Sequence, residues 1–553
     1  MHHSPQTSDL LARIPLSART IVDVGCGIGD LMAAYRPLNP NARLLGIDID
    51  RSAAATAEQH MDQVASSDVE SDPLPFDLPD GIDCIVYSGV LEYLRDPWTL
   101  VRRQAEALNP DGVMVFCIPN IDYWRTTERQ LRGVSDNRQS DHPLASWLNL
   151  DGMTRQLTDA GLILCDITTH EPDSQSAGLF VEALAPSLAA LGIDRAAYIK
   201  RAAASHLILR ARLEPVEQLI VAGNMMDPVG GVSHVRVVHP LNAVGTAPGV
   251  STYVTDRVEL CQPADHRPKI FVLHRPALIG ERGLETVRKL TDAGYLVVTE
   301  FDDHPDHFDM MRAGGALTFT GVHALQTSTM AMAEILRAYN PEIAVFPNAV
   351  VSLPEVRNFA DPGAITMFFG ALNREHDWQP FMAAINAIVS KVGDRLKFQI
   401  VHDKGFFDAL ETPHKAFTPT CDYETYMRIL ASSEISFMPL SDTPFNRAKS
   451  DLKFIEAGSY RVAALASTVV YGNSVEDGRT GLLFGDPVEF EARLARLVAM
   501  PELARDLGDA ARRYVAGNRM LAYQVAPRIA WYRSLWARRS VLHQALEARS
   551  QRS

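Results

Sequence analysis

The chain has 553 residues and a formal net charge of −14. That length exceeds what one core packs and predicts three or four packed domains. The acidic balance argues against a nonspecific nucleic-acid binder, and 46% hydrophobic with 22% charged residues is the composition of a soluble globular protein. The six cysteines form no CxxC pair. This fits a reducing compartment, without structural disulfides or a zinc knuckle. No apolar run approaches the roughly 18 residues of a membrane span, and the N-terminus lacks a basic-then-apolar leader pattern. A cytoplasmic location is expected.

Near the N-terminus "ARTIVDVGCGIGD" reads as a β-branched strand entering a glycine loop, Asp23-x-Gly25-x-Gly27-x-Gly29. Glycines there allow positive φ and let a ligand approach the backbone. A helix should begin near Asp30. "ARLLGIDID" is a second strand, and Asp48 lies 19 residues past Gly29, where an acid in a βαβ unit meets ribose hydroxyls. Asp68 follows a third strand, "IDCIVYSG" is a fourth, and "GVMVFCIPN" is a fifth. Alternating strands and helices imply a parallel sheet with its ligand at the strand C-termini.

The run "VDVGCGIGD", "GIDID", "SSDVESDPLPF", "YSGVLEYL" and "LNPDGVMVF" resembles class I S-adenosylmethionine-dependent methyltransferases over about residues 15–213. The resemblance implies S-adenosylmethionine as cofactor. Gly25, Cys26, Gly27 and Gly29 would cradle its methionine part and Asp23 would face the same end. Asp48 would take the ribose and Asp68 the adenine amine. It also implies a late sixth strand in "LILCDIT" and a seventh in "ASHLILRARL". Methyl transfer to a hydroxyl needs a base. Glu92, Tyr93, Tyr123 and His142 stand near the expected mouth, with His142 taken as the catalytic candidate. Its polar loop, "SDNRQSDHPL", equally suits a solvated histidine.

From Pro215 the pattern restarts. "EQLIVAGNMMDPVGGVSHVRVVHPL" is a strand, a Gly230-Gly231 loop and a helix carrying Arg236. Strands recur in "KIFVLHRP", "YLVVTEFDD", "ALQTST" and "IAVFPNAV", and a second α/β series begins at "ITMFFGAL". The proline-bearing linker near 349–363 separates them. The expected domains are 1–214, 215–355, 356–520 and a 521–553 tail, an α/β fold throughout.

"FPNAV", "FFGALNREHDWQPFMAAI" and "KSDLKFIEAGSYRVAALAS" with "VEDGRTGLLFGDPVEFEARLARLV" resemble retaining GT-B glycosyltransferases of the large family 4 type, over about residues 216–540. That implies two Rossmann-like domains around a cleft, a nucleotide-sugar donor, and no bound metal. Glu456 would accept ribose hydroxyl bonds. Lys449 and Lys453, at i and i+4, would share a helix face towards the diphosphate; they equally make a solvated face paired with Asp451 or Glu456. The family's earlier acid falls at Ala448, so that pair is broken. Arg374 fills the family's basic position after the first strand of the C-terminal domain, and no lysine fills the next. Gly230 and Gly231 either bring amides to the diphosphate or make a tight turn. Asp302, Asp303 and His304 form a polar acceptor wall, with Asp303 the catalytic candidate.

The tail "PRIAWYRSLWARRSVLHQALEARSQRS" reads as an amphipathic basic helix. Such helices lie on anionic membranes, which would place the protein at the inner membrane face; the GT-B resemblance instead implies packing back on the acceptor domain. Together these readings predict a bifunctional enzyme that glycosylates and methylates a glycan or lipid-linked saccharide, with no nucleic-acid partner. The alternative is an active methyltransferase whose degenerate glycosyltransferase part only binds glycan or nucleotide sugar.

Overall fold

The computed structural model describes residues 5–134, 150–170, 172–224, 233–255, 267–309, 316–356 and 363–550. The chain separates into two units. The first is Met1–Gln218 with Gly245–Val250, and the second is Leu219–Val244 with Ser251–Ser553. The short segment 245–250 thus belongs with the first unit, although it follows the restart of the sequence pattern.

The first unit is built on seven strands: β1 (Thr20–Val24), β2 (Arg43–Asp48), β3 (Gln63–Ser66), β4 (Ile82–Ser88), β5 (Leu108–Pro119), β6 (Ile163–Thr169) and β7 (His206–Arg212). Their order is β3-β2-β1-β4-β5-β7-β6. β7 runs antiparallel to both β5 and β6, and the remaining pairs are parallel. Central strands read as unbroken apolar runs, as "CIVY" in β4, because helices cover both faces. Val22, Val24, Ile85, Tyr87 and Phe116 are fully or almost fully buried in the core. Between β1 and β4 the order reverses direction, which opens a crevice at their carboxyl ends. An insert precedes β7. It forms three helices, Ser174–Ala183, Ala185–Ala190 and Arg195–Ala202.

The second unit holds two six-stranded sheets. One contains β8 (Leu219–Asn224), β9 (Val250–Thr255), β10 (Lys269–His274), β11 (Leu296–Glu300), β12 (Ala324–Thr327) and β13 (Ile343–Val345), ordered β13-β12-β11-β10-β8-β9. The other contains β14 (Ile365–Gly370), β15 (Leu396–Val401), β16 (Lys415–Thr418), β17 (Ile435–Met438), β18 (Ala463–Ser467) and β19 (Gly481–Phe484), ordered β16-β15-β14-β17-β18-β19 and parallel throughout. Each has its own apolar core.

After the last long helix, Pro501–Asn518, the chain returns to the first of these sheets. Val350 and Leu521 exchange backbone hydrogen bonds with Arg519 and Val350 at 2.8 Å. Helix Val525–Ala537 then buries Leu535 and Tyr532. The Tyr532 hydroxyl donates to Gln326 at 3.0 Å, and Trp531 packs edge-on against Phe346. The apolar side that the sequence offered to a membrane is therefore covered by the chain itself. Among the described residues no helix is long and apolar enough to cross a membrane.

Candidate functional sites

In the first unit the glycine loop closes β1 onto β2. The Gly25 and Cys26 amides donate to the Ile47 carbonyl at 2.8 and 3.1 Å. Gly25, Gly27 and Gly29 have φ of 75°, 54° and 87°, which side chains other than glycine rarely adopt. A Cβ on Gly25 would lie 2.8 Å from Val90 Cβ, and one on Gly29 would lie 3.1 Å from the Ala57 backbone. At Gly27 a Cβ would meet nothing within 4 Å, so the loop opens onto free space there.

Three acids approach this opening differently. Asp48 accepts the Gly27 amide at 2.7 Å and the Asp50 amide at 2.9 Å, which fixes its carboxylate beside the loop. Asp68 is exposed and accepts the Glu70 amide at 3.0 Å. Asp23 is 1% exposed, and one carboxyl oxygen has no hydrogen-bond partner. Burial, with Asp48 nearby, pushes Asp23 up to about 7. Burial likewise pushes the Cys26 thiol up to about 12, which makes Cys26 a packing residue rather than a nucleophile. The free space at Gly27, the orphaned Asp23 oxygen and the oriented Asp48 carboxylate fit a cationic, ribose-bearing cofactor such as S-adenosylmethionine.

The exit of β4 completes the crevice. A short turn, Leu91–Tyr93, carries Glu92, which is 8% exposed with one carboxyl oxygen unpartnered. Tyr93 is exposed. Glu70, which the sequence did not single out, ties the Asp68 loop to this exit by accepting the Arg95 and Asp96 amides at 2.8 and 2.9 Å. Its only signal was its place in "SSDVESD". His142 lies outside the described residues.

In the second unit a cavity of about 240 Å³ is lined by residues from both sheets' domains, among them Arg275, Asp302, Arg374, Lys449 and Lys453. Arg275 has φ of 43° and holds Asp302 at 2.7 Å. Lys449 pairs with Asp303 at 3.1 Å and lies 4.3 Å from the centre of the Phe445 ring. Arg374 donates to Asp377 at 3.0 Å and to Asn446 at 2.8 Å. A basic residue after β10 is where an anion-binding side chain belongs, but nothing in "LHRPAL" marks Arg275 before the fold is known.

The structure corrects the expected lysine face. The helix is Leu452–Ser459, so Lys449 lies outside it. Lys449 sits on the turn that joins it to the short helix Pro444–Arg447. Lys453 donates to the Gly370 carbonyl, and burial pushes it down to about 8. Both lysines do reach one cavity. Glu456 lines a second cavity of about 170 Å³, with His239, Tyr423 and Tyr460, and only Leu452 borders both. The Tyr423 hydroxyl donates to Glu456 at 2.6 Å. Burial pushes Glu456 up to about 7, against the opposing pull of Tyr423 and Lys453. Tyr423 also stacks on His234. Gly230 and Gly231 lie outside the described residues. Among the described residues no group of three His, Cys, Asp or Glu side chains is placed to hold a metal.

Residues 22–114 match the family model described as a methyltransferase domain. Trans-aconitate 2-methyltransferase from Azoarcus sp. (strain BH72) is 33% identical over 125 residues, covering 22% of this chain and 48% of that protein. The Escherichia coli K12 protein of the same name is 33% identical over 129 residues, covering 22% and 50%. The chain thus spans about half the length of the curated relatives it matches. Among solved structures, an S-adenosylmethionine-dependent methyltransferase from Mesorhizobium loti aligns at 19% identity and TM-score 0.27, covering 38% of this chain and 98% of that one. Anabaena HepE, solved with UDP and glucose, aligns at 12% and 0.40, covering 57% and 100%. TarM aligns at 13% and 0.39, covering 48% and 54%. The family match falls on the glycine loop and Asp48, so the first unit contains a methyltransferase domain of the Rossmann-like class. The second unit has the paired Rossmann-like sheets of the GT-B architecture.

Proposed function

We propose that the chain joins an S-adenosylmethionine-dependent O-methyltransferase to a nucleotide-sugar-dependent, retaining glycosyltransferase, both acting on a surface glycan or its lipid-linked precursor. The cofactor supplies an electrophilic methyl group. The observation that carries the methyl-transfer half is the coincidence of the family match with an open, acid-flanked glycine loop at the crevice between β1 and β4. Asp48 would bind the ribose, Asp23 the methionine end and Asp68 the adenine amine. For the second half, the cavity holding Arg275, Arg374 and Lys449 supports binding of a diphosphate leaving group, because clustered cations stabilise developing negative charge. Asp303, released from Lys449, would face the acceptor.

A second reading is favoured by one specific feature. Ala448 is 3% exposed and belongs to the apolar core cluster of the domain built on β8–β13. The place of the family's first acid is thus filled by apolar packing, as in a donor- or glycan-binding module that no longer transfers sugar. Turnover of a panel of UDP- and GDP-sugars, assayed with labelled S-adenosylmethionine on extracted glycans, separates the two. Donor hydrolysis or transfer supports the bifunctional enzyme; tight binding without turnover supports the module; absence of donor binding defeats both glycan readings of the second unit.

A further inference from the structure

The mouth of the first unit contains a carboxyl group without an assigned task. β4 ends at Ser88, and its neighbour Tyr87 pairs with Val24 at the end of β1. The chain then turns through Gly89, at φ of 66°, and Val90, whose side chain is the one that a Cβ on Gly25 would strike. Glu92 follows two residues later. A Cβ on Gly89 would lie 3.9 Å from Glu92 Oε1, so the side chain folds back over the strand end rather than out to solvent. Oε2 is buried and has no hydrogen-bond partner. A buried carboxyl oxygen left without a partner is costly and marks a position kept for something else. Burial holds Glu92 above the ordinary carboxylate range, and the residue's own amide is the one opposing influence.

The other acids of the crevice are placed for other work. Asp48 already accepts two amides beside the loop. Asp23 lies inside β1, below the loop, next to Asp48 in its electrostatics. Glu92 comes instead from the exit of β4, the strand that pairs with β1. A sulfonium centre needs a counter-charge while it carries the methyl group and none after the group has left.

We propose that Glu92 is the carboxylate that faces the sulfonium and takes the proton of the acceptor hydroxyl as the methyl group moves. This rests on the methyltransferase reading of the first unit. Glu92 gives up its proton when the cation enters beside it. In the transfer the methyl carbon's bond to sulfur breaks with its electron pair left on sulfur, and a bond from carbon to the acceptor oxygen forms. The hydroxyl proton passes to the Glu92 carboxylate, which is neutral again when the neutral thioether product remains. The sulfonium charge and the carboxylate charge are therefore cancelled in one step, and the buried wall never faces a bare carboxylate without a cation.

The test needs no acceptor. The full chain is titrated with S-adenosylmethionine and, separately, with S-adenosylhomocysteine, in buffers of differing ionisation enthalpy at mildly acid pH. Calorimetry then gives the protons released by each. Asp23 contributes to both titrations, because both ligands carry the same amino acid end. Glu92 contributes only where the sulfonium is present. The expected result is a larger proton release with S-adenosylmethionine than with S-adenosylhomocysteine. Glu92→Gln should abolish that difference and weaken S-adenosylmethionine about tenfold, the loss of roughly one charge contact, while leaving S-adenosylhomocysteine affinity unchanged. Equal proton release for the two ligands in the unaltered chain overturns the proposal without reference to any variant. So does a Glu92→Gln protein that loses both ligands equally. If neither ligand binds the unaltered chain, the methyltransferase reading itself fails.

Discussion

The Lys449 ammonium lies 3.1 Å from the Asp303 carboxylate and joins the turn before helix Leu452–Ser459 to the segment that follows β11. The two side chains are 24% and 16% exposed, so the pair is partly shielded from solvent. Burial pushes Lys449 below the usual lysine range, and Asp303 opposes that fall. Asp303→Asn would leave the Lys449 ammonium without this carboxylate, Lys449→Met would leave Asp303 only the Arg275 guanidinium at 3.9 Å, and each should cost about 1–2 kcal/mol. The double variant should cost less than the sum of the two, since contacting residues couple. Urea unfolding of the four proteins measures this. Strict additivity would show that the pair is geometric only.

Ala448 makes a stronger case, since the family resemblance expects an acid there. The position is 3% exposed and its carbonyl accepts the Thr329 hydroxyl at 3.2 Å. Ala448→Glu, the substitution that restores the expected pattern, would bury a carboxylate in the apolar core cluster of the β8–β13 domain. It should destabilise the protein by about 3 kcal/mol or more and should not create sugar transfer. Urea unfolding with a donor-turnover assay reads both. A stable variant with raised turnover would show that the closed packing around Ala448 opens at no cost.

Much of this was legible in the sequence, and the failures share a cause. The glycine loop, Asp48 and the first five strands of the first unit follow from local signals, which are β-branched runs, a glycine-rich turn and an acid at a fixed distance, while the sixth and seventh strands come from the family resemblance. What the sequence could not show is which side chains meet across long separations. Lys449 and Lys453 have helical spacing, yet Asp451 opens the helix after Lys449, and Asp451 is itself held by Arg519 at 2.7 Å. Tyr423, 33 residues before Glu456, reaches its carboxylate. Arg275 has no local signature at all, because its role comes from the end of β10, which the fold brings to the cavity.

Glu456 predicts a pH effect with a definite sign. Its carboxyl has an ordinary value of 4.5 and is pushed up to about 7 in the fold. The folded state therefore holds this proton more tightly than the unfolded chain. The proton's contribution is fully present below about pH 4.5 and is lost as pH rises to about 7. Glu456→Gln removes the dependence, so the stability of the variant relative to the unaltered protein should rise across that window by on the order of 2–3 kcal/mol. Urea unfolding of both proteins at several pH values gives the difference. A constant difference would place Glu456 in the ordinary carboxylate range. Tyr423→Phe, which removes the donor to the ionised form, should raise Glu456 further and carry the loss on to higher pH.

The C-terminal helix Arg539–Ser550 carries a second pH dependence, of opposite sign, through two histidines. The buried His323 ring accepts the Val297 amide at Nδ1, 2.9 Å away. Its proton must therefore sit on Nε2, which faces His543 Nδ1 at 2.9 Å. That tautomer makes His323 the donor and His543 the acceptor. Protonating either ring turns an acceptor nitrogen into a second donor and breaks one of the two bonds. Burial pushes His323 down to about 3, with His543 adding to the fall. For a base whose folded value is depressed, the stabilisation is complete above its unfolded value of 6.5 and is lost as pH falls towards about 3. The helix should accordingly loosen in acid, and Arg549, which donates to the Thr320 and Val322 carbonyls, should come away with it. Hydrogen exchange of residues 539–550 at neutral and acid pH reads this directly. Weaker protection in acid, relative to the intrinsic exchange rate at each pH and suppressed in His543→Ala, is the expected outcome. Equal protection at both pH values would show that apolar packing, such as that of Leu542, holds the helix without the histidine pair.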